Sequence, residues 1–122
     1  MATKKYYVDV DVRGRIDVKA VRLESQEVSI ISNNPTVVAS MDHASFDALI
    51  IDYVLKDGTT NLRAGTLHVV HNGTIIEHVD TSTHDIGNTD PVSFETQYNG
   101  QKLEVILDNA QGYYVNTFVR AL

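Results

Sequence analysis

Two Asn-Gly dipeptides constrain this chain more than any other feature. Asn72-Gly73 lies in AGTLHVVHNGTIIEHVD and Asn99-Gly100 in VSFETQYNGQKLEVILDNA. A two-residue hairpin of type I′ needs positive φ at both central positions, and Asn-Gly meets that need at low steric cost. Both dipeptides are flanked by runs rich in Val, Ile, Thr, Tyr and Phe, which pack well on a pleated surface. The spacing predicts paired strands at 62–71 and 74–81, and again at 92–98 and 102–107.

The rest of the chain follows the same grammar. Residues 5–12 alternate, with Tyr6, Val8, Val10 and Val12 on one side and Lys5, Tyr7, Asp9 and Asp11 on the other. Arg13-Gly14-Arg15 reads as a turn, followed by strands at 16–23, 27–32, 36–40 and 113–121. Residues 45–58, SFDALIIDYVLKDG, carry apolar side chains at helical spacing with Ser45 as an N-cap. The β-branched Ile50, Ile51 and Val54 and the Asp57-Gly58 turn signal weigh towards a strand. About nine short strands imply an all-β protein, an antiparallel β-sandwich of jelly-roll-like type. Its 122 residues suit a single domain, 1–122, with 1–22 a basic N-terminal strand or arm.

The Asn72-Gly73 hairpin has no polar side. A two-residue turn pairs His71 with Thr74, Val70 with Ile75, Val69 with Ile76, and His68 with Glu77. One face then carries Leu67, Val69, His71, Thr74, Ile76 and His78, and the other Thr66, His68, Val70, Ile75, Glu77 and Val79. One face packs on the opposite sheet. The other, an apolar ribbon, is an aggregation hazard if left in water. A second polypeptide, or the protein's own loops, must cover it. Val70, Ile75 and Val79 are therefore interface candidates.

Charge adds a second candidate surface. Residues 1–22 hold six basic and three acidic residues; the other hundred hold four basic and thirteen acidic, for a net −6 overall. Lys4, Lys5, Arg13 and Arg15 are candidates for contact with an acidic partner or a neighbouring copy, or else the protective charges of a solvated edge strand. The acidic body argues against nucleic acid, which calls for a broad basic face. No apolar run approaches the roughly 20 residues of a bilayer span, and no secretory leader is expected.

The sequence offers little organised chemistry. There is no cysteine, so disulfides and thiolate metal sites are excluded. Four of five histidines fall in 68–84, but His68 and His71, three apart on a strand, point to opposite faces. Small metal-dependent jelly-roll enzymes use His-x-His, and this chain has His-x-x-His. Asp80, Asp85 and Asp90 share a loop with oxygen ligands for calcium, at a spacing unlike an EF-hand; such loops more often cap turns. No G-x-S-x-G elbow, P-loop or G-x-G-x-x-G is present. The tyrosines leave a sugar-binding surface as a rival, although adjacent tyrosines diverge on a strand. The expectation is a protein that is not an enzyme and needs no cofactor.

Asp52-Tyr53, Arg63-x-Gly65-Thr66, the HNGT turn, DTST at 80–83, Asp85-Ile86-Gly87, and Phe94 leading to Leu103-x-Val105-x-Leu107 form a wider pattern. Across 45–87 and 92–112 the chain resembles a β-rich module of tailed-bacteriophage virion proteins, fibre or structural. The resemblance implies an oligomeric structural role on a virion assembled in the host cytoplasm. A chain of this length suits a capsid decoration (cement) protein, a homo-oligomer that braces the major capsid protein. A homotrimer fits capsid local symmetry. A fibre or tail component is the alternative.

Overall fold

A computed structural model describes residues 14–122. The strand expected at 5–12, with Lys4, Lys5 and Arg13, lies outside the described residues. Nine strands follow: β1 (Arg15–Val18), β2 (Val21–Ser29), β3 (Thr36–Asp42), β4 (Ala48–Asp57), β5 (Asn61–His71), β6 (Ile76–Ser82), β7 (Ser93–Asn99), β8 (Lys102–Asp108) and β9 (Tyr114–Ala121). All pair antiparallel, as expected. A six-stranded sheet runs β1-β2-β9-β4-β5-β6 and a three-stranded sheet runs β3-β8-β7. The fold is a β-sandwich of unequal layers, six strands against three.

Segment 45–58 resolves as strand β4. Its alternation places Leu49, Ile51, Tyr53 and Leu55 inward, all buried. They meet Val38, Met41, Phe94, Leu103, Val105 and Leu107 from the smaller sheet, together with Leu67 and Val69 of β5 and Val115 and Val119 of β9, in one hydrophobic cluster. Burial of these side chains is the main stabilising term.

Three local expectations are corrected. Residues 16–23 are not one strand. Lys19 takes a left-handed conformation (φ 54°) and, with Ala20, turns β1 back onto β2, where Val18 pairs with Val21. No Gly or Asn marks that turn, so pattern alone misses it; β2 then runs through to Ser29, absorbing part of 27–32. The second Asn-Gly turn sits one residue later than expected. Asn99 still pairs with Lys102, and Gly100 (φ 60°) with Gln101 forms the loop.

The third correction concerns the first hairpin. Its loop has four residues, 72–75. The Asn72 side-chain oxygen accepts hydrogen bonds from the backbone N–H of Thr74 (2.9 Å) and Ile75 (2.8 Å), so Asn72 caps a wider turn rather than occupying a two-residue one. His71 pairs with Ile76, Val70 with Glu77, Val69 with His78 and His68 with Val79. The predicted opposition of His68 and Glu77 is replaced by His68 and Val79. The slip is two residues, an even number, so both faces keep their predicted members apart from the turn residues Thr74 and Ile75.

Candidate interaction surface

Several of the motifs singled out in the sequence, Asp52-Tyr53, Arg63-x-Gly65, Asp80, Asp85 and Phe94, converge on one spot beneath β5. Tyr53 pairs with Gly65 across β4 and β5. A Cβ on Gly65 would lie 2.6 Å from the Thr81 carbonyl oxygen and 2.7 Å from the Tyr53 hydroxyl, so only glycine leaves the ring its space. The Tyr53 hydroxyl donates to Asp80 at 2.7 Å, and its ring packs on Phe94 with centroids 4.7 Å apart. Arg63 spans the same region. It approaches Asp80 at 3.9 Å, donates to the Thr89 hydroxyl at 3.2 Å and to the Val92 carbonyl at 3.4 Å, and lies over the Tyr53 ring. Thr89, fully buried, donates its N–H (2.8 Å) and hydroxyl to Asp85. Burial and the hydrogen bond to Asp80 push the Tyr53 hydroxyl up to about 12. The two bonds from Thr89 hold the Asp85 carboxyl below its ordinary value. This network joins β4, β5, β6 and the 83–92 loop. Gly87 (φ 74°) sits against the Thr60 carbonyl, and Leu62 and Ile86 exchange backbone hydrogen bonds at 2.9 and 3.0 Å.

Asp80 and Asp85, expected as neighbours in an oxygen-rich loop, are therefore held by different partners, the first on a strand and the second capping Thr89. Among the described residues no group of three or more His, Asp or Glu is placed to hold a metal ion. His68 is exposed on the outer face and His71 buried on the inner one, as their spacing predicts. His71 Nδ1 accepts from the Gly73 N–H (3.0 Å) and lies 3.1 Å from the Tyr98 hydroxyl, while Nε2–H donates to the Phe46 carbonyl (2.6 Å). That ring ties the hairpin tip to the β3–β4 loop and to β7. Tyr53 and Tyr113 are buried and Tyr98 is edge-on to His43 and His71, so these tyrosines do not form a stacking platform.

The outer face of the six-stranded sheet is different in kind. The smaller sheet covers the inner face, and among the described residues nothing lies over the outer one. Strand registers set out its rows. One row reads Val18, Val21, then Ala48, Val70 and Glu77; the next reads Ile16, Leu23, Arg120, Ile50, His68 and Val79; the third holds Ser25, Phe118, Asp52, Thr66 and Thr81. Val18, Val70 and Val79 are each more than half exposed, at 56%, 55% and 57%, so the described fold does not cover them. A shallow concavity of about 430 Å³ opens among Ala48, Ile50, His68, Val70, Glu77 and Val79.

The β1–β2 hairpin makes the pattern sharper. Its apolar side chains, Ile16, Val18, Val21 and Leu23, point outward, and its charged ones, Arg15, Asp17, Arg22 and Glu24, point to the inner side. A hairpin that ends its life in water has the opposite arrangement. Of the sequence-derived interface candidates, Val70 and Val79 lie on this face. Ile75, exposed at 57%, lies in the turn and not on the ribbon. Arg15 forms an ion pair with Asp17 at 3.4 Å on the other side of β1. Asn72, Gly73, Asn99 and Gly100 serve the turns. Phe118, Ile50, Arg120, Ile16 and Val18 were missed. Alternation in VNTFVRAL separates Val115, Thr117, Val119 and Ala121 from Asn116, Phe118 and Arg120, but which set faces outward depends on the sheet's other strands.

These features define a β-sandwich with a part-buried polar network and one sheet face, largely apolar, that the described residues leave uncovered. No family model matches the chain, and no curated protein matches it. Among solved structures, the fold is similar to part of the crystal structure of the Acinetobacter baumannii phage AM24 tailspike protein, with a TM-score of 0.52 at 8% sequence identity over 84% of this chain. The similarity is one of fold, and it spans 26% of the tailspike chain's length.

Proposed function

We propose that this protein is a non-enzymatic structural module of a phage virion, built into the particle through the outer face of its six-stranded sheet. The observation that carries the reading is the face that the described residues leave uncovered, whose edge hairpin turns its oily side chains away from the protein's own core. Such a face is stable in a particle because a neighbour excludes water from it. The fold likeness to a tailspike protein supports a place in the tail, as a spike or fibre component. The network of Tyr53, Arg63, Asp80, Asp85 and Thr89 supports a scaffolding role, since each of these side chains is engaged in holding strands together.

Decoration of the head is the second reading, on the major capsid protein. The positive balance of residues 1–22 against an acidic body favours it. Immunogold labelling of purified particles with antibody to this protein separates the two. Label at the tail tip or fibres is expected. Label on the head selects decoration, and particles with neither label nor a peptide of this chain overturn the virion role.

A further inference from the structure

We infer that the occupant of the outer face is a second copy of this chain, packed face to face about a two-fold axis parallel to the strands. The inference rests on reading that face as an assembly surface. It does not depend on where in a particle the protein sits.

Area is the first argument. Six strands about 4.8 Å apart give a face about 29 Å wide. Four outward rows, the three above and a fourth of Glu27, Asn116, Val54 and Ala64, about 6.8 Å apart, give a length of about 27 Å. The product, less the two rows that the four-residue β1 does not reach, is about 720 Å², near the roughly 800 Å² that each partner contributes to a stable protein interface. A sheet face also suits a sheet face, because two twisted sheets pack aligned at about 10 Å separation.

The arrangement of residues selects the axis. The rows at one end of the strands, with Ile16, Val18, Ile50, Val70 and Val79, are the more apolar; towards the other end Phe118 and Val54 stand among Ser, Thr, Asp and Asn positions. A two-fold across the strands would set Ile50 and Val79 against Asp52 and Thr81. A two-fold along the strands, between β9 and β4, keeps each row against itself. The β6 edge, with Val79, then meets the β1 edge of the partner, with Ile16 and Val18. Near the axis, Arg120 of one copy stands opposite Ile50 of the other, one row from Asp52. Arg120 and Asp52 are both exposed, and each finds an opposite charge across the interface. An isologous contact of this kind closes at two copies, in place of the trimer that capsid local symmetry would favour.

The chain has no cysteine, so one introduced thiol reports one position. Light scattering on the purified protein at tens of micromolar should give the mass of a dimer. Ile50→Cys should be joined into a dimer by a short bismaleimide cross-linker, since the facing sheets lie about 10 Å apart, and Glu95→Cys, exposed on the smaller sheet, should not. Val79→Asp should weaken association by about tenfold or more with unchanged circular dichroism. Arg120→Asp and Asp52→Arg should each weaken it, and the double exchange should restore it, a recovery that misfolding cannot produce. A wild-type monomer, whatever else covers the face, the chain's own first thirteen residues included, overturns the inference. So does a trimer, equal cross-linking of the Ile50→Cys and Glu95→Cys variants, or a charge exchange that fails to recover. Particle labelling is read separately, so failure of the dimer and failure of the virion role are distinct results.

Discussion

The Tyr53 hydroxyl donates to the Asp80 carboxylate at 2.7 Å, tying β4 to β6 across the intervening strand β5. The neutral phenol is the form the fold favours, because burial and the neighbouring carboxylate both oppose ionisation. Its hydroxyl is raised from 10.0 to about 12, so its contribution is complete below pH 10 and is lost as pH rises through about 12. Tyr53→Phe should cost about 1 kcal/mol at neutral pH. Its stability should then fall less steeply than the wild type's between pH 10 and about 12, so the two curves converge. Guanidinium unfolding at a series of pH values measures this; parallel curves would remove Tyr53 as the alkaline-sensitive group.

Asp85 gives the acid counterpart. The two hydrogen bonds from Thr89 hold its carboxyl low. Its contribution is therefore present above the ordinary carboxylate value and lost as pH falls through the lower, folded one. Asp85→Asn should flatten the acid limb of the stability profile below about pH 4. Thermal melts from neutral pH down to about pH 2.5 check the slope against wild type.

Gly65 and Gly73 should respond differently to the same substitution. Gly73→Ala meets open space and a φ of 89°, a backbone cost of about 1 kcal/mol. Gly65→Ala drives a methyl group into the Thr81 carbonyl and the Tyr53 hydroxyl, so one strand must shift, at about 2 kcal/mol or more. Denaturant midpoints of the two variants should rank in that order. Amide exchange in Gly65→Ala should rise along β5 and β6.

Ile75 and Ile76 are adjacent but meet different surroundings. Ile76 packs against the core beneath β6, and Ile75 sits exposed in the turn. Ile76→Asp should destabilise the domain by about 2–3 kcal/mol, the cost of a poorly solvated charge. Ile75→Asp should leave both stability and association close to wild type. Chemical denaturation and light scattering on the pair separate them; a loss of assembly in Ile75→Asp would extend the contact surface onto the turn.

Alternation along a strand is local, because successive side chains leave a pleated backbone on opposite sides whatever the rest of the chain does. That is why residues as close in sequence as His68 and His71 could be assigned to opposite faces, why 45–58 was legible as a strand, and why an all-β sandwich followed. The same logic recovered both faces of the β5–β6 hairpin even though its register slipped, since the slip was even. What depends on several strands at once was not legible. Lys19 turns without a turn residue because β1 and β2 hold it there, and Asn72 caps a four-residue loop because His71 and Phe46 fix the hairpin end. Tyr53, Arg63, Asp80 and Asp85 meet only after β4, β5 and β6 are in register. The unequal sheets, six strands over three, decided which alternating set was buried and which was left facing outward. Sequence determines a side chain's direction relative to its own strand; only the order of the strands determines what lies in that direction.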